Sequence, residues 1–174
     1  MSWDSDPTSP ANARTAIENL MFLYSEAIDA GDFAAIGELF ARGRMLAPDG
    51  GISGEGRDGV RAIYDQSTKL FEDGTPKTQH VNTNLIFEFD ADGRGARVRS
   101  RFTVFQALPD FPLQPIITGH YADTFAYFDG SGSDGSGSDS SGTQADGWYF
   151  VERAMRPVLL GDLSRHLKYE LPAS

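Results

Sequence analysis

The N-terminal part of the chain carries its hydrophobic residues at the spacing of α-helices. Ser9 and Pro10 suit a cap and a first helical residue. The buried face of the helix that follows is predicted to contain Ile17, Leu20, Met21, Tyr24, Ala27 and Ile28. The sequence DAGDF then ends this helix and caps a short second one. A third helix is predicted over about 57–71.

Beyond Pro76 the pattern becomes that of β-strands. Long strands are predicted at 80–89, 96–107, 113–128 and 148–159, and short ones at 44–47 and 51–53. The sequence DADGRG is typical of a hairpin turn. ALPDFPLQP is expected to be an irregular loop, because its three prolines cannot donate ladder hydrogen bonds. The order of elements predicts an α+β domain: a cone-shaped, curved, mixed or antiparallel sheet, covered by three N-terminal helices and enclosing a pocket.

A chain of 174 residues suits a single domain. Residues 1–11 are expected to form a disordered arm, 12–160 the domain and 161–174 a C-terminal tail. The segment 129–147 is rich in Gly, Ser and Asp, and too few residues follow it for a second domain. It is interpreted as a flexible hairpin insertion without function, since lengthening a loop costs only ~0.6 kcal/mol per doubling.

Composition excludes several classes of partner. Fifteen Lys and Arg stand against 25 Asp and Glu, and the net charge of −10 repels nucleic acid and anionic membranes. The chain has no cysteine, which excludes disulfides and thiolate chemistry and fits a reducing cytoplasm. No apolar run approaches the ~20 residues that span a bilayer, and MSWDSDPTSPANAR lacks a signal-peptide pattern. A cytoplasmic protein is expected.

Motifs for cofactors are also missing. No P-loop and no G-x-S-x-G occurs, and no two histidines stand at metal-ligand spacing. The glycines of the 129–147 segment precede a strand and are not accompanied by Lys, so they do not form a phosphate-binding turn. A protein without cofactor or metal is therefore expected.

Four stretches between Ala16 and Met155 match one known superfamily in order and local sequence. They are AIENLMFLYSEAIDAGDFAAIGELF, GEGRDGVRAIY, KTQHVNTNLIFEFD and DGWYFVERAM. They resemble the SnoaL-like branch of the nuclear transport factor 2-like, or cystatin-like, superfamily. The resemblance implies the fold, but not one activity, because the superfamily contains dehydratases, isomerases, cyclases, a dehydrochlorinase, non-catalytic subunits and binding proteins.

The resemblance also implies a pair of site residues. Scytalone dehydratase and hexachlorocyclohexane dehydrochlorinase use an Asp at the end of the first helix to orient a His at the start of a central strand, and the His takes a proton from the substrate. Matching the two stretches places the Asp on Asp29 and the His on His80. The other polar residues that those enzymes use around the leaving group have no identified counterparts in this sequence.

The chemistry of the two residue types agrees with this role. An imidazole, with an unperturbed pKa of ~6.5, accepts a proton near neutral pH, and a carboxylate on its second nitrogen stabilises the imidazolium. Asp29 also lies at a helix C-terminus, where the macrodipole disfavours negative charge, so helix stability does not explain it. The alternatives are a solvated Asp29, outside the apolar stripe, and a His80 that only begins a strand.

Alternation along the strand complicates this assignment. His80, Asn82 and Asn84 fall on one face, whereas the other face carries Val81, Thr83, Leu85, Phe87 and Phe89. If His80 faces the pocket, the apolar face must pack against helices or another subunit, unless a bulge switches the faces. Because an exposed apolar face is costly, a homo-oligomer, dimer or trimer, is expected.

Further pocket residues are predicted among the aromatic and histidine side chains. Tyr24, Tyr64 and Phe102 are candidates to bind a flat or alicyclic substrate, although most aromatic residues are expected in the core. His120 is a further substrate-binding candidate because small residues share its strand face; a core histidine bonded to a backbone carbonyl is the alternative. His166 is expected to be exposed unless the C-terminal tail folds over the pocket.

Two functions remain open at this stage. The first is a cofactor-free lyase or isomerase that acts on a small, largely apolar cyclic or aromatic molecule, with His80 as the base and Asp29 as its orienting residue. The second is a non-catalytic protein of the same fold that binds a small ligand or supports oligomerisation. A hydrogen bond between the two side chains at an enclosed pocket would favour the enzyme.

Overall fold

In the part of the chain that a computed structural model describes, residues 5–130 and 147–169, three helices cover one face of a six-stranded mixed sheet. The helices are α1 (Pro10–Ala30), α2 (Phe33–Leu39) and α3 (Gly56–Ser67). The strands are β1 (Arg44–Leu46), β2 (Ile52–Glu55), β3 (Thr78–Phe89), β4 (Gly95–Leu108), β5 (Phe111–Phe128) and β6 (Gly147–Leu160). The predicted α+β architecture is confirmed.

The sheet has the order β2-β1-β6-β5-β4-β3. β1 runs parallel to β6, and the other neighbouring strands are antiparallel. β4 shows the plain alternation of a half-buried strand: its even-numbered residues from Ala96 to Gln106 are buried, and Arg97, Arg99 and Arg101 are exposed. The buried face of the sheet, together with the apolar stripe of α1, forms the core.

Helix α1 begins and ends where the sequence predicts. Pro10 occupies its first turn, and Gly31 ends it in the left-handed conformation, with a φ of 73°. The backbone N–H of Gly31 donates to Ile28 O at 3.0 Å, which satisfies a terminal carbonyl. The Asp32 side chain then accepts from Ala35 N at 2.9 Å and caps α2.

A bulge in β3 reverses the face that each residue presents. Thr83 pairs with Arg101 but Ile86 pairs with Arg99, so β3 holds one residue more than β4 between these positions. Asn84, in the bulge, has a left-handed φ of 55°, a conformation that Asn tolerates better than most residues. His80, which lies before the bulge, pairs with buried Val104 and so is on the inner face.

The apolar residues of β3 lie on that same inner face after the bulge. Leu85, Phe87 and Phe89 pack against the core. The apolar patch from which self-association was predicted is therefore absent at these three residues. The homo-oligomer loses this reason and stays a prediction.

The segment ALPDFPLQP is not the irregular loop that its prolines suggest. β4 extends to Leu108 and β5 begins at Phe111, and these two residues pair across a tight turn. Pro112 and Pro115 lie within β5 in the stretch that pairs with β4 alone, because pairing with β6 begins only at Ile117. An edge stretch tolerates prolines since no partner strand needs their missing N–H.

Helix α3 ends at Ser67, four residues before the predicted end at 71. Thr68 instead forms an antiparallel bridge with Leu167 of the C-terminal tail. A contact between residues so far apart in sequence leaves no local signal. The tail thus shortens the helix by competing for its last backbone groups.

The other predicted boundaries concern the termini and the insertion. α1 begins at Pro10, two residues before the predicted start of the domain at 12, and Trp148 Nε1 donates to Pro7 O at 3.2 Å, so part of the predicted arm contacts β6. Residues 131–146, most of the predicted insertion, lie outside the described residues. Phe128 pairs with Gly147, which places the two ends of the insertion on neighbouring strands.

None of the described helices is long and apolar enough to cross a membrane.

Candidate active site

A cavity of about 450 Å³ lies between the helices and the inner face of the sheet. Its wall includes a residue from each long strand: His80 from β3, Phe102 from β4, Tyr121 from β5 and Arg153 from β6. Helices α1 and α3 and the C-terminal tail complete the wall. The volume is in the range of sites for small molecules.

Asp29 and His80 are hydrogen-bonded at this wall. Asp29 Oδ1 lies 2.6 Å from His80 Nδ1, and Asp29 Oδ2 accepts the backbone N–H of His80 at 2.7 Å. Thr78 Oγ1 also donates to Asp29 Oδ1 at 2.7 Å. The His80 side chain is 6% exposed and lines the cavity, whereas the Asp29 side chain is 22% exposed and lies outside the lining. The carboxylate is therefore held behind the imidazole.

Local structure explains why these residues meet. Asp29 is the penultimate residue of α1, and the Gly31 turn ends the helix next to the start of β3. Thr78 and His80 are two residues apart on β3, so both side chains point to the same face. Two residues further on, Asn82 Nδ2 donates to Ser25 Oγ at 2.8 Å and joins the same strand to the same helix.

The hydrogen bonds set the charge of Asp29 and the orientation of His80. Burial alone would raise the pKa of Asp29, but the hydrogen bonds and positive charge of His80, with the hydrogen bond of Thr78, outweigh it and lower that pKa. An ionised carboxylate on Nδ1 selects the tautomer with the proton on Nδ1. Nε2 is then the nitrogen that can accept a proton.

A second carboxylate and cation pair, Asp123 and Arg153, is fully buried beside the cavity. Arg153 Nε and Nη2 donate to the two Asp123 oxygens at 2.9 and 2.7 Å, and the side chains are 1% and 0% exposed. Burial opposes the charge on Arg153, but the Asp123 carboxylate outweighs it and raises the pKa of the guanidinium. Arg153 therefore stays charged.

Aromatic rings enclose the Arg153 guanidinium. Its Cζ lies 4.2 Å from the ring centroid of Tyr24, 4.1 Å from that of Tyr121 and 4.8 Å from that of Phe150. The negative faces of aromatic rings stabilise a cation in this position. Arg153 Nη1 is buried and has no hydrogen-bond partner in the described part of the chain. The guanidinium thus adds a positive charge to one side of the cavity.

Tyr24 and Tyr64 form a phenol pair on the helical side. Their hydroxyl oxygens lie 2.6 Å apart, and Tyr64 Oη also approaches Met45 Sδ at 3.4 Å. Burial raises the pKa of Tyr64 and of Tyr121 well above the ordinary range, so both phenols stay protonated. With Phe102, which stacks on Tyr121 at 4.5 Å between centroids, they give the cavity flat walls.

Three of the four predicted substrate-binding residues line the cavity: Tyr24, Tyr64 and Phe102. His120 does not, and its placement is corrected. Tyr121 is the neighbour that faces inward on β5, so alternation turns His120 to the outer face, where its Nε2 contacts Arg101 Nη1. The small residues that share its face are therefore on the outside of the sheet.

His166 is buried rather than exposed in the tail. It is 8% exposed and lines the cavity together with Leu163, Leu167 and Tyr169.

Sequence reasoning also missed Asp123 and Arg153. Arg153 lies in a stretch, WYFVERAM, that shows only alternation, and arginine is rarely fully buried. Its partner Asp123 lies directly across from it in the pairing of β5 with β6. No signal in the sequence other than the opposite charges indicated this pairing.

Metal ligands do not converge in this site. Among residues 5–130 and 147–169, no three His, Asp or Glu side chains are grouped so that they could hold a metal ion. The site instead combines an imidazole and carboxylate pair, a buried guanidinium and phenol hydroxyls. These groups can move a proton and stabilise negative charge.

Comparison with solved structures defines the class of fold. A putative scytalone dehydratase from Novosphingobium aromaticivorans is 22% identical with a TM-score of 0.60, over 93% of this chain and 91% of that one. Hexachlorocyclohexane dehydrochlorinase LinA-type3 from Novosphingobium barchaimii is 16% identical with a TM-score of 0.61, over 97% and 100%. A Nostoc punctiforme protein of unknown function with a cystatin-like fold has a TM-score of 0.61 at 16% identity, over 86% and 93%. The chain therefore has the cystatin-like, nuclear transport factor 2-like fold.

The family follows from the sequence itself. The model of the SnoaL-like domain matches residues 9–154, most of the chain. The protein belongs to the SnoaL-like domain family. No curated protein matches it in sequence.

Proposed function

We propose that this protein is a cofactor-free lyase or isomerase that removes a proton from a carbon atom of a small, largely apolar cyclic molecule. His80 is the base and Asp29 orients it. The observation that carries the proposal is the 2.6 Å contact between Asp29 Oδ1 and His80 Nδ1, with the His80 ring on the cavity wall. A catalytic base needs both a carboxylate partner and a position at the cavity, whereas a structural role requires neither.

The reaction begins with transfer of the proton from the substrate carbon to His80 Nε2. The electrons of the broken C–H bond form a new double bond. In a lyase, the neighbouring carbon loses its leaving group with the electrons of that bond; in an isomerase, the proton returns at another carbon. Asp29 stabilises the imidazolium that forms in either case. A base positioned in this way typically contributes 10²- to 10⁴-fold.

Negative charge that develops on the substrate can be stabilised by other groups of the cavity wall. Arg153 stays charged and is held by Asp123, and burial raises the pKa of the Tyr64 phenol, which keeps it protonated. A preorganised positive charge or hydrogen-bond donor stabilises such a charge more than solvent does. Tyr24, Tyr64 and Phe102 also supply flat apolar surface that suits a ring.

Similar structures add support, though only for the fold. One is named a putative scytalone dehydratase and another a hexachlorocyclohexane dehydrochlorinase, and both names describe an elimination, the second from a cyclohexane. Membership of the SnoaL-like domain family is compatible with the same class.

Exchange of carbon-bound protons tests the proposal without the natural substrate. The α-protons of 2-tetralone, a small bicyclic ketone, are replaced by deuterium in D₂O when a base removes them, and NMR follows the loss of signal. We expect the wild type to accelerate this exchange and His80→Ala to lose about 10²- to 10⁴-fold of that rate. His120→Ala, which changes a histidine on the outer face, is the matched control and should keep the rate.

The result also separates the two functions. Exchange by His80→Ala at the wild-type rate would refute the assignment of the base. Binding of 2-tetralone without any exchange by the wild type would instead support a non-catalytic ligand-binding protein.

A further inference from the structure

The C-terminal segment, residues 161–169, is fastened against the cavity by backbone hydrogen bonds. Lys69 N donates to His166 O at 2.8 Å, and Lys168 N donates to Ser67 O at 2.8 Å. Gln106, buried in β4, donates through Nε2 to Arg165 O at 3.2 Å. Contacts with both α3 and β4 give the segment one position. The residue that it brings to the cavity is therefore placed by the fold.

The polar ring among the side chains that this segment brings to the cavity is His166, and stability does not explain why a histidine occupies this position. Its side chain is more than nine-tenths buried and lines the cavity, and within residues 5–130 and 147–169 it makes no hydrogen bond and its buried Nδ1 has no partner. Burying a polar nitrogen without a hydrogen bond is unfavourable. A leucine or phenylalanine would fill the same space without that penalty. A buried imidazole at a cavity wall is instead suited to a ligand.

Charge makes His166 different from His80. Burial, together with the nearby charge of His80, lowers the pKa of His166 to about 4, while the carboxylate of Asp29 opposes the shift only in part. His166 is therefore neutral near neutral pH, with one ring nitrogen as a donor and the other as an acceptor. Unlike His80, it is hydrogen-bonded to no carboxylate among the residues that the structure describes, so it is not arranged as a base.

We propose that His166 is a second binding residue of this cavity, which takes the hydroxyl or carbonyl oxygen of a small cyclic ligand while His80 faces the carbon that loses its proton. This inference rests on the proposed function and narrows the substrate class to oxygen-bearing rings. A neutral imidazole suits a neutral oxygen better than a carboxylate or an ammonium group. Arg153, another polar group of the wall, already has a carboxylate partner in Asp123.

A matched pair of ligands tests this role. 2-Tetralone and tetralin share the same bicyclic ring and differ in the carbonyl group. The measured quantity is the ratio of their dissociation constants, from titration of the full chain near neutral pH. A ratio is insensitive to a general loosening of the C-terminal segment, because loosening weakens both ligands alike.

Two variants and a control make the test specific. We expect His166→Phe, which keeps a ring but no hydrogen bond, to reduce the preference for 2-tetralone roughly five- to tenfold. His166→Gln, which keeps a donor and an acceptor, should retain most of the preference. His120→Phe is the control and should leave it unchanged. An unchanged preference in His166→Phe, or no binding of 2-tetralone by the wild type, would overturn the proposal.

Failure of this role is distinguishable from failure of the proposed function. If deuterium exchange depends on His80 but the preference survives in His166→Phe, only the role of His166 is wrong. If the preference falls in His166→Phe while His80→Ala still exchanges protons at the wild-type rate, the role of His166 stands as a binding residue and the catalytic assignment is wrong.

Discussion

Two carboxylate and cation pairs flank the same cavity, and they differ in burial and in chemistry. Asp29 and His80 are partly open to solvent through the carboxylate, with a 2.6 Å contact, and the imidazole can gain and lose its charge. Asp123 and Arg153 are 0% and 1% exposed, and the guanidinium does not lose its proton. The first pair is suited to moving a proton; the second supplies a fixed charge.

The comparison also shows what each pair contributes to stability. A fully buried ion pair adds little over apolar residues of similar size, but removal of one partner leaves a buried charge without compensation. The pair of Asp29 and His80 can lose its carboxylate because the imidazole that remains can be neutral. Substitution should therefore affect different properties: in the pair of Asp123 and Arg153 it should reduce stability, and in the pair of Asp29 and His80 it should reduce activity.

The largest effect is expected from Asp123→Ala. It leaves the Arg153 guanidinium buried and without its carboxylate, which should lower the free energy of unfolding by about 3–5 kcal/mol. Urea unfolding followed by circular dichroism measures the change. The double variant Asp123→Leu with Arg153→Met removes both charges and should recover much of the loss. Asp123→Ala with the stability of the wild type would show that the buried Arg153 guanidinium does not need its carboxylate partner.

Asp29→Asn should affect activity more than stability. The amide keeps the size of the side chain but does not stabilise the imidazolium, so deuterium exchange into 2-tetralone should slow by roughly 10²-fold. The free energy of unfolding should change by no more than about 1 kcal/mol, because Asp29 is partly exposed. Asp32→Asn, which changes a helix cap away from the cavity, is a suitable control. Loss of stability without loss of rate would reverse the comparison between the pairs.

Acid should reveal a third group near the first pair. The pKa of His166 is about 4 in the folded state, against ~6.5 in an unfolded chain. Between these values the unfolded chain binds more protons, so this contribution to stability is complete above pH ~6.5 and is lost as the pH falls towards 4. The loss should be on the order of 2 kcal/mol.

Urea unfolding at several pH values between 7.5 and 4.5 measures this loss. His166→Phe should lack it, whereas His120→Phe should keep it. Equal pH dependence in the wild type and in His166→Phe would show that another group causes the acid sensitivity. Asp29 should not contribute in this range, because a lowered carboxyl pKa matters only below ~3.9.

Much of the fold could be predicted because local patterns carry it. The stripe of α1, the Gly31 turn and the alternation of β4 are each readable within about twenty residues. The Asp29 and His80 pair was accessible for a different reason: a family resemblance connected two stretches that no local pattern links. Its hydrogen bond required the structure.

The rest of the site depends on pairings between distant parts of the chain. The pairing of Asp123 with Arg153 follows from the register of β5 with β6, and the burial of His166 follows from the contact of the tail with α3. Asp, Arg and His are not usually fully buried, so composition and periodicity favoured exposure for all three residues. The correct placement needed the packed neighbours.

The strand that contains His80 separates the two kinds of information. Its sequence by itself determined that a strand forms and that polar and apolar residues alternate along it. Only the tertiary structure decided that both His80 and Phe87 face inward, because the bulge at Asn84 exists in the pairing of β3 with β4 and not in either strand alone. Periodicity is local, whereas the face that a strand presents is set by its register with a neighbour.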